Sequence, residues 1–306
     1  MRRSLGVLAV ACVVVLAAIA AARAQAERDG DKLSVVASFS ILRDLVANVG
    51  GDRVDATALV GPGGDVHVYA PTPADARIVG TARLIVVNGL GFEGWMDRLV
   101  RASAAQAPII MASAGVAPRQ AAKPGSFETA TAGVDPHAWQ SPHNAEIYVA
   151  NIRDGLIRVD PPGRRTYEAN AVAYIAELAR LDTDIRRAVA AIPAARRKLV
   201  TTHDAFGYFA ADYGIAFIAA QGVSSETEAS ARDVASIIRA IREQNIPAFF
   251  FENAVDPRLL RLIAAETGAR IGGTLFSDTL SNAAGPAATY VDMMRHNVRE
   301  IVDGLR

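Results

Sequence analysis

Five histidines stand in a chain of 306 residues, and their surroundings are unequal. His67 ends the turn-rich segment Gly61-Pro62-Gly63-Gly64-Asp65-Val66-His67, and His137 sits in Asp135-Pro136-His137-Ala138-Trp139, outside any regular periodicity. His203 directly follows a strand-like run, and Asp278 follows another. In open parallel sheets ligands bind beyond the carboxyl ends of the strands, which is where such residues would lie. Imidazole nitrogens and a carboxylate oxygen suit zinc, and four such groups complete a tetrahedral shell. The spacings of 70, 66 and 75 positions carry no local metal signature. A lone imidazole also serves as a cap, a hydrogen-bonding group or a surface residue, and an aspartate after a strand serves as a turn residue. His143, after Pro142 at a helix start, and His296, between Arg295 and Asn297 on the final helix, read as surface groups.

The elements that must position these groups are legible from Leu33 onward. Short apolar runs at 33–38, 54–60, 84–88, 198–202, 215–219, 248–251 and 269–275 alternate with amphipathic stretches. This alternation predicts an α/β protein with parallel sheets flanked by helices. Thr72-Pro73, Asp256-Pro257 and Ser230 with Asp233 mark helix starts, and Gly268 marks a helix end. After Asp160-Pro161-Pro162 the apolar residues Tyr167, Ala171, Tyr174, Leu178, Leu181, Ile185, Val189 and Ile192 recur at helical spacing. A helix of about 29 residues is about 43 Å long, more than the diameter of a small lobe, and reads as a rod joining two lobes. Residues 112–134, rich in Ala, Gly, Pro, Ser and Thr, read as an exposed mobile loop. No internal repeat is apparent.

Arg2 and Arg3 precede an uncharged apolar run over 5–22, followed by Ala22-Arg23-Ala24 and Ala24-Gln25-Ala26. The apolar run is long enough to span a bilayer, which leaves an uncleaved anchor as the alternative, but this order predicts a secretory signal peptide over 1–26 and a periplasmic product. The single cysteine, Cys12, falls inside it, so the mature chain would carry no thiol site. Removing that segment leaves 29 basic against 32 acidic groups, with no electrostatic footprint for nucleic acid.

Gly89-Leu90-Gly91-Phe92-Glu93-Gly94 fits a dinucleotide fingerprint but lies away from the first strand-helix turn and lacks the downstream acid, so it reads as a tight turn near a cleft. Trp95 and Trp139 read as packing residues, Trp139 close enough to His137 to wall a site. A zinc-dependent hydrolase needs an open coordination position and a base, and Glu226 and Glu228 qualify by residue type alone.

Across nearly the whole mature chain the sequence resembles the metal-binding proteins of zinc and manganese ABC importers, the cluster A-I periplasmic solute-binding or adhesin family. The resemblance is carried by the segments around His67 and His137 quoted above, by Pro71-Thr72-Pro73-Ala74-Asp75, and by Asn88 through Trp95. Thr202-His203-Asp204-Ala205-Phe206-Gly207-Tyr208, Ser224 through Ser230 and Ala288 through Met294 continue it. It implies two α/β lobes, 27–160 and 194–306, joined by one rigid helix over 161–193, with the metal in the cleft. It places the four ligands at His67, His137, His203 and Asp278, two from each lobe. It also implies a membrane permease as partner; a monomer is expected, and Asp278 filling the fourth ligand position points away from an enzyme. Members with Glu at the third ligand position resemble manganese or iron carriers, whereas His occurs there in zinc carriers and in some that take both metals. This chain has His203, which favours Zn2+ as cargo with manganese or iron as the alternative. Unlike many zinc carriers it has no His-rich acidic loop, since 112–134 contains no histidine and only Glu128 as an acid.

Overall fold

The computed structural model describes residues 32–122, 129–224, 230–244 and 246–306. The leader with Cys12, the acid Glu128, the side chain of Asp233, and Glu226 and Glu228 lie outside the described residues.

Four strands, β1 (Leu33–Phe39), β2 (Val54–Val60), β3 (Leu84–Val87) and β4 (Ile109–Met111), form a parallel sheet in the order β2-β1-β3-β4. Its central strands are buried on both faces, so Val35, Val36, Leu84 and Ile85 read as continuous apolar runs. The helices α1 (Ser40–Gly50), α2 (Pro73–Gly80), α3 (Met96–Ser103) and α4 (Pro142–Val159) accompany it. Thr72 opens α2 with the expected capping box: its hydroxyl accepts from Asp75 N, and the Asp75 carboxylate accepts from Thr72 N.

The linking helix α5 spans Arg164–Ala190 after a 3₁₀ turn at Pro161–Gly163. Its 27 residues extend about 40 Å. Its buried residues are the seven that the apolar spacing marks within that span, from Tyr167 to Val189, and Ile192 is buried just beyond.

The second sheet comprises β7 (Lys198–Thr201), β8 (Ala216–Ala219), β9 (Ala248–Glu252) and β10 (Arg270–Leu275), parallel in the order β10-β9-β7-β8. Read from its other edge this is second, first, third, fourth, the order of the first sheet. The repeat that the sequence does not show is therefore present in topology. Helices α6 (Gly207–Tyr213), α7 (Ala231–Gln244) and α8 (Arg258–Thr267) belong to this half. Asp256 accepts from Arg258 N at the start of α8, and Gly268 closes it at φ 69°.

Two expectations are corrected. Within 112–134, β5 (Arg119–Ala122) pairs antiparallel with β6 (Thr129–Asp135) instead of forming a featureless loop. Propensity does not signal this hairpin, which is fastened across the cleft: Arg119 N donates to Tyr208 Oη and Ala122 N to an Asp204 carboxylate oxygen. The final helix, α9 (Tyr290–Leu305), packs on β10, α5 and α1, so His296 is not a surface residue. Its ring is largely buried and its Nε2 lies 2.9 Å from the Thr274 carbonyl. His143 is exposed, as expected.

Candidate metal centre

His67 follows β2 through the predicted turn, in which Gly63 takes φ 73°. Asp65 accepts from His67 N, and Trp95 Nε1 donates to the Val66 carbonyl, which fixes the peptide carrying the imidazole. The glycine-rich segment after β3 is a tight turn, with Gly89, Leu90 and Gly91 all at positive φ. It delivers Phe92 edge-on to His67, with ring centroids 4.9 Å apart, and near His137 at 5.6 Å. Glu93 steadies the turn by accepting from Asn88 N, Gly89 N and Ser38 Oγ, and burial raises its pKa against those bonds. Asn88 in turn donates to the Pro136 carbonyl, so the same turn holds the His137 loop.

His137 follows β6 and is fully buried. One oxygen of Asp135 receives both His137 N at 2.9 Å and His137 Nδ1 at 2.8 Å. His203 follows β7, also fully buried, with Nδ1 2.6 Å from Glu252 Oε2. The other oxygen of Glu252 accepts from Thr202 N and His203 N. The β7–β9 register pairs Leu199 with Ala248 and Val200 with Phe249, and continuing it by three residues sets His203 beside Glu252. A carboxylate on Nδ1 fixes the ring orientation and leaves Nε2 facing the opposite way.

The Nε2 atoms of His67 and His137 lie 3.3 Å apart. Asp278, after β10, sits 3.5 Å from His67 Nε2 and 3.2 Å from His203 Nε2 through Oδ2, and 3.6 Å from His137 Nε2 through Oδ1. These four residues offer ligand atoms that all lie within 4.8 Å of one another, the one such group among the described residues. His203, His137 and Asp278 are buried; His67 is the least covered of the four. Neutral imidazoles that meet Nε2 to Nε2 repel unless a proton or a cation lies between them. Three inward nitrogens and one carboxylate form a donor set for a borderline divalent ion.

Electrostatics follow from this enclosure. Burial opposes charge on His203, but Glu252 and Asp278 outweigh it and carry its pKa well above the usual imidazole range. Burial also opposes charge on Asp278, yet the facing His203, with His67 and His137, holds its carboxyl well below the usual range. Burial and the neighbouring Asp135 raise the Asp204 carboxyl beside the site.

All four residues singled out by residue type and placement converge, and Trp139 walls the site with its ring 5.2 Å from that of His137. Two residues that orient the histidines were given no role by sequence reasoning. Asp135 stood in a quoted segment, and Glu252 carried one available signal, an acid ending the apolar run 248–251.

The family described as zinc-uptake complex component A, periplasmic, matches residues 35–304. The chain belongs to this family of metal ABC importer solute-binding proteins. It is 35% identical to the iron-binding protein YfeA of Yersinia pestis over 89% of this chain and 86% of that one. It is 35% identical to the manganese-binding lipoprotein MntA of Halalkalibacterium halodurans over 96% and 97%. The solved periplasmic zinc-binding protein TroA of Treponema pallidum superposes with TM-score 0.83 at 32% identity, over 90% of this chain and 99% of that one. These names span three metals, so kinship assigns a metal-binding transport component and leaves the ion to the chemistry of the site.

Proposed function

We propose that the chain captures Zn2+ with His67, His137, His203 and Asp278 and delivers it, as a periplasmic solute-binding protein, to the membrane permease of an ABC importer. The observation that carries this reading is the spacing of the four donors. Ligands about 2.0–2.1 Å from a tetrahedral zinc ion lie about 3.3–3.4 Å from one another. His67 and His137 lie 3.3 Å apart and Asp278 lies 3.2 to 3.6 Å from each of the three imidazoles, with all four ligand atoms within 4.8 Å of one another. Asp278 fills the position that a catalytic zinc would keep for water, which argues against a hydrolase.

In this reading residues 27–160 and 194–306 act as the two lobes, 161–193 as the link, and 1–26 as a removable leader. The ion fastens the lobes by taking two ligands from each. Release on the permease then requires displacing the loop that bears Asp278, the single anionic ligand. The described residues contain no helix long and apolar enough to cross a membrane.

Manganese or iron is the second reading, favoured by one observation. Asp278 turns Oδ2 toward His67 and His203 and Oδ1 toward His137, so both oxygens face the donors. A carboxylate binding through both would make a five-donor shell richer in oxygen, which suits Mn2+ better than a closed zinc site. Elemental analysis of protein purified without chelator, followed by zinc and manganese titration of the stripped form, decides the matter. One equivalent of zinc, held against manganese in competition, is expected. Retention of manganese or iron selects the second reading, and failure to bind any of the three ends both.

A further inference from the structure

Gln140 is a polar residue in a place that an apolar one would fill. It lies fully buried in a short 3₁₀ turn, Ala138–Gln140, directly after His137. Its Nε2 donates across the cleft to the Ser277 carbonyl at 2.7 Å, while its Oε1 meets no hydrogen-bond partner among the described residues. That orientation is forced, because a carbonyl oxygen only accepts and the amide nitrogen must face it. The same carbonyl already accepts from Trp139 Nε1 at 2.8 Å. A second donor adds little to a group that is already satisfied, and burying an unpartnered Oε1 costs stability. Stability alone therefore does not account for glutamine here.

Position does. The Ser277 carbonyl belongs to the peptide unit that continues into Asp278 N, so two donors on it fix the plane from which the Asp278 side chain departs. Phe276 and Thr279 are held within their own half, by Asn297 bonding both Phe276 N and the Phe276 carbonyl and by Asn253 reaching Thr279. Leu280 beyond them is tied to the first lobe by Ser40 Oγ and Gly63 N. At Ser277, immediately before Asp278, the restraint comes from the opposite lobe through Trp139 and Gln140. The turn that presents His137 thus also aligns the carboxylate facing it.

We propose that Gln140 is a positioning residue that holds the Asp278 carboxylate on the three imidazoles and so prolongs retention of a bound divalent cation; this rests on the ligand set proposed above. With Zn2+ as the probe, dissociation into excess chromophoric chelator is timed by stopped flow. Gln140→Met keeps the volume and removes the donor. It should speed zinc loss about tenfold, the order expected for one buried hydrogen bond, while the metal-free form melts no lower than the parent. A structural role would instead lower that melting point.

A double-mutant cycle with Asp278→Asn locates the effect. If Gln140 acts through the carboxylate, Gln140→Met should change zinc loss less than about twofold once Asp278 is Asn. An equal effect in both backgrounds, or none in the parent, overturns the inference while leaving the ligand set intact. Unchanged retention in Asp278→Asn alone removes Asp278 from the ligand set itself. Gln140→Leu repeats the cycle if the Met variant misfolds, and misfolding of both also overturns the inference, because it requires an apolar side chain to be tolerated there.

Discussion

In the first lobe a histidine of the candidate site and the carboxylate behind it share one tripeptide, Asp135-Pro136-His137, with the intervening proline stiffening the turn. In the second lobe His203 and Glu252 lie 49 positions apart and meet because β7 and β9 are neighbours. The two sheets share one strand order, yet they support their histidines by different routes. Asp135 uses a single oxygen for both His137 N and Nδ1, whereas Glu252 divides the work: Oε1 takes two backbone N–H groups and Oε2 faces Nδ1. The same chemical device therefore differs in how much of it a substitution can spare.

The largest expected effect is loss of a ligand. His203→Ala should weaken zinc binding, measured by chelator competition, by more than the roughly 100-fold that marks the upper range for an outer partner. Unchanged affinity would remove His203 from the site.

The sharpest test of the contrast between lobes comes next. Glu252→Gln must turn an amide N–H either toward Thr202 N and His203 N or toward His203 Nδ1; the latter drives the ring proton onto Nε2, where metal should bind. A loss of about 10- to 100-fold is expected. Asp135→Asn can keep its one working oxygen on both donors, and the loss should stay below about tenfold. Equal losses in the two variants would break the comparison.

Proton competition ranks third. The raised pKa of His203 means that metal must displace a proton from it near neutral pH. Zinc affinity should therefore fall as pH drops through that raised pKa, beginning above the ordinary value of about 6.5 and approaching tenfold per pH unit for the one proton. In the metal-free protein the sign runs the other way: the charged His203 pair stabilises the fold fully below about pH 6.5, and that share is lost as pH rises through the elevated folded-state pKa. Affinity that stays flat from pH 8 to 6 would count against His203 as the titrating ligand.

The smallest effect concerns stability away from the site. Asp44 accepts from Tyr290 N in the seam between the lobes, and burial raises its pKa to about 6. A raised folded-state pKa gives stability that is present below the unfolded value and lost as pH rises to about 6. Asp44→Asn should flatten that slope in urea melts between pH 4 and 7, and a slope unchanged by the substitution would exclude Asp44 as its source.

The halves also differ in their cores. The first sheet, α5, α9 and the inner face of the second sheet share one continuous cluster, whereas Val200, Ile218, Ile237, Phe249, Leu260 and their neighbours form a separate one under α7 and α8. Substitutions in that smaller cluster should therefore lower the melting point with little change in zinc affinity.

Residue type and periodicity determined much of this protein by themselves. Alternating apolar runs specify parallel strands, seven buried positions on α5 follow from 3.6-residue spacing, and the turns at Gly61–Gly64 and Gly89–Gly91 follow from glycine. The three histidines and Asp278 stand out as candidates because each follows an element or stands in a turn, but it is the family resemblance that joins them into one ligand set. These are local properties, fixed within a few residues of chain. Only the tertiary structure decided that His203 lies against Glu252, that the hairpin of β5 and β6 docks on Asp204 and Tyr208, that His296 is buried, and that Trp139 and Gln140 grip the peptide ahead of Asp278. Each of these depends on strand order or on the seam between the lobes, which bring together residues dozens of positions apart and leave no period in the sequence.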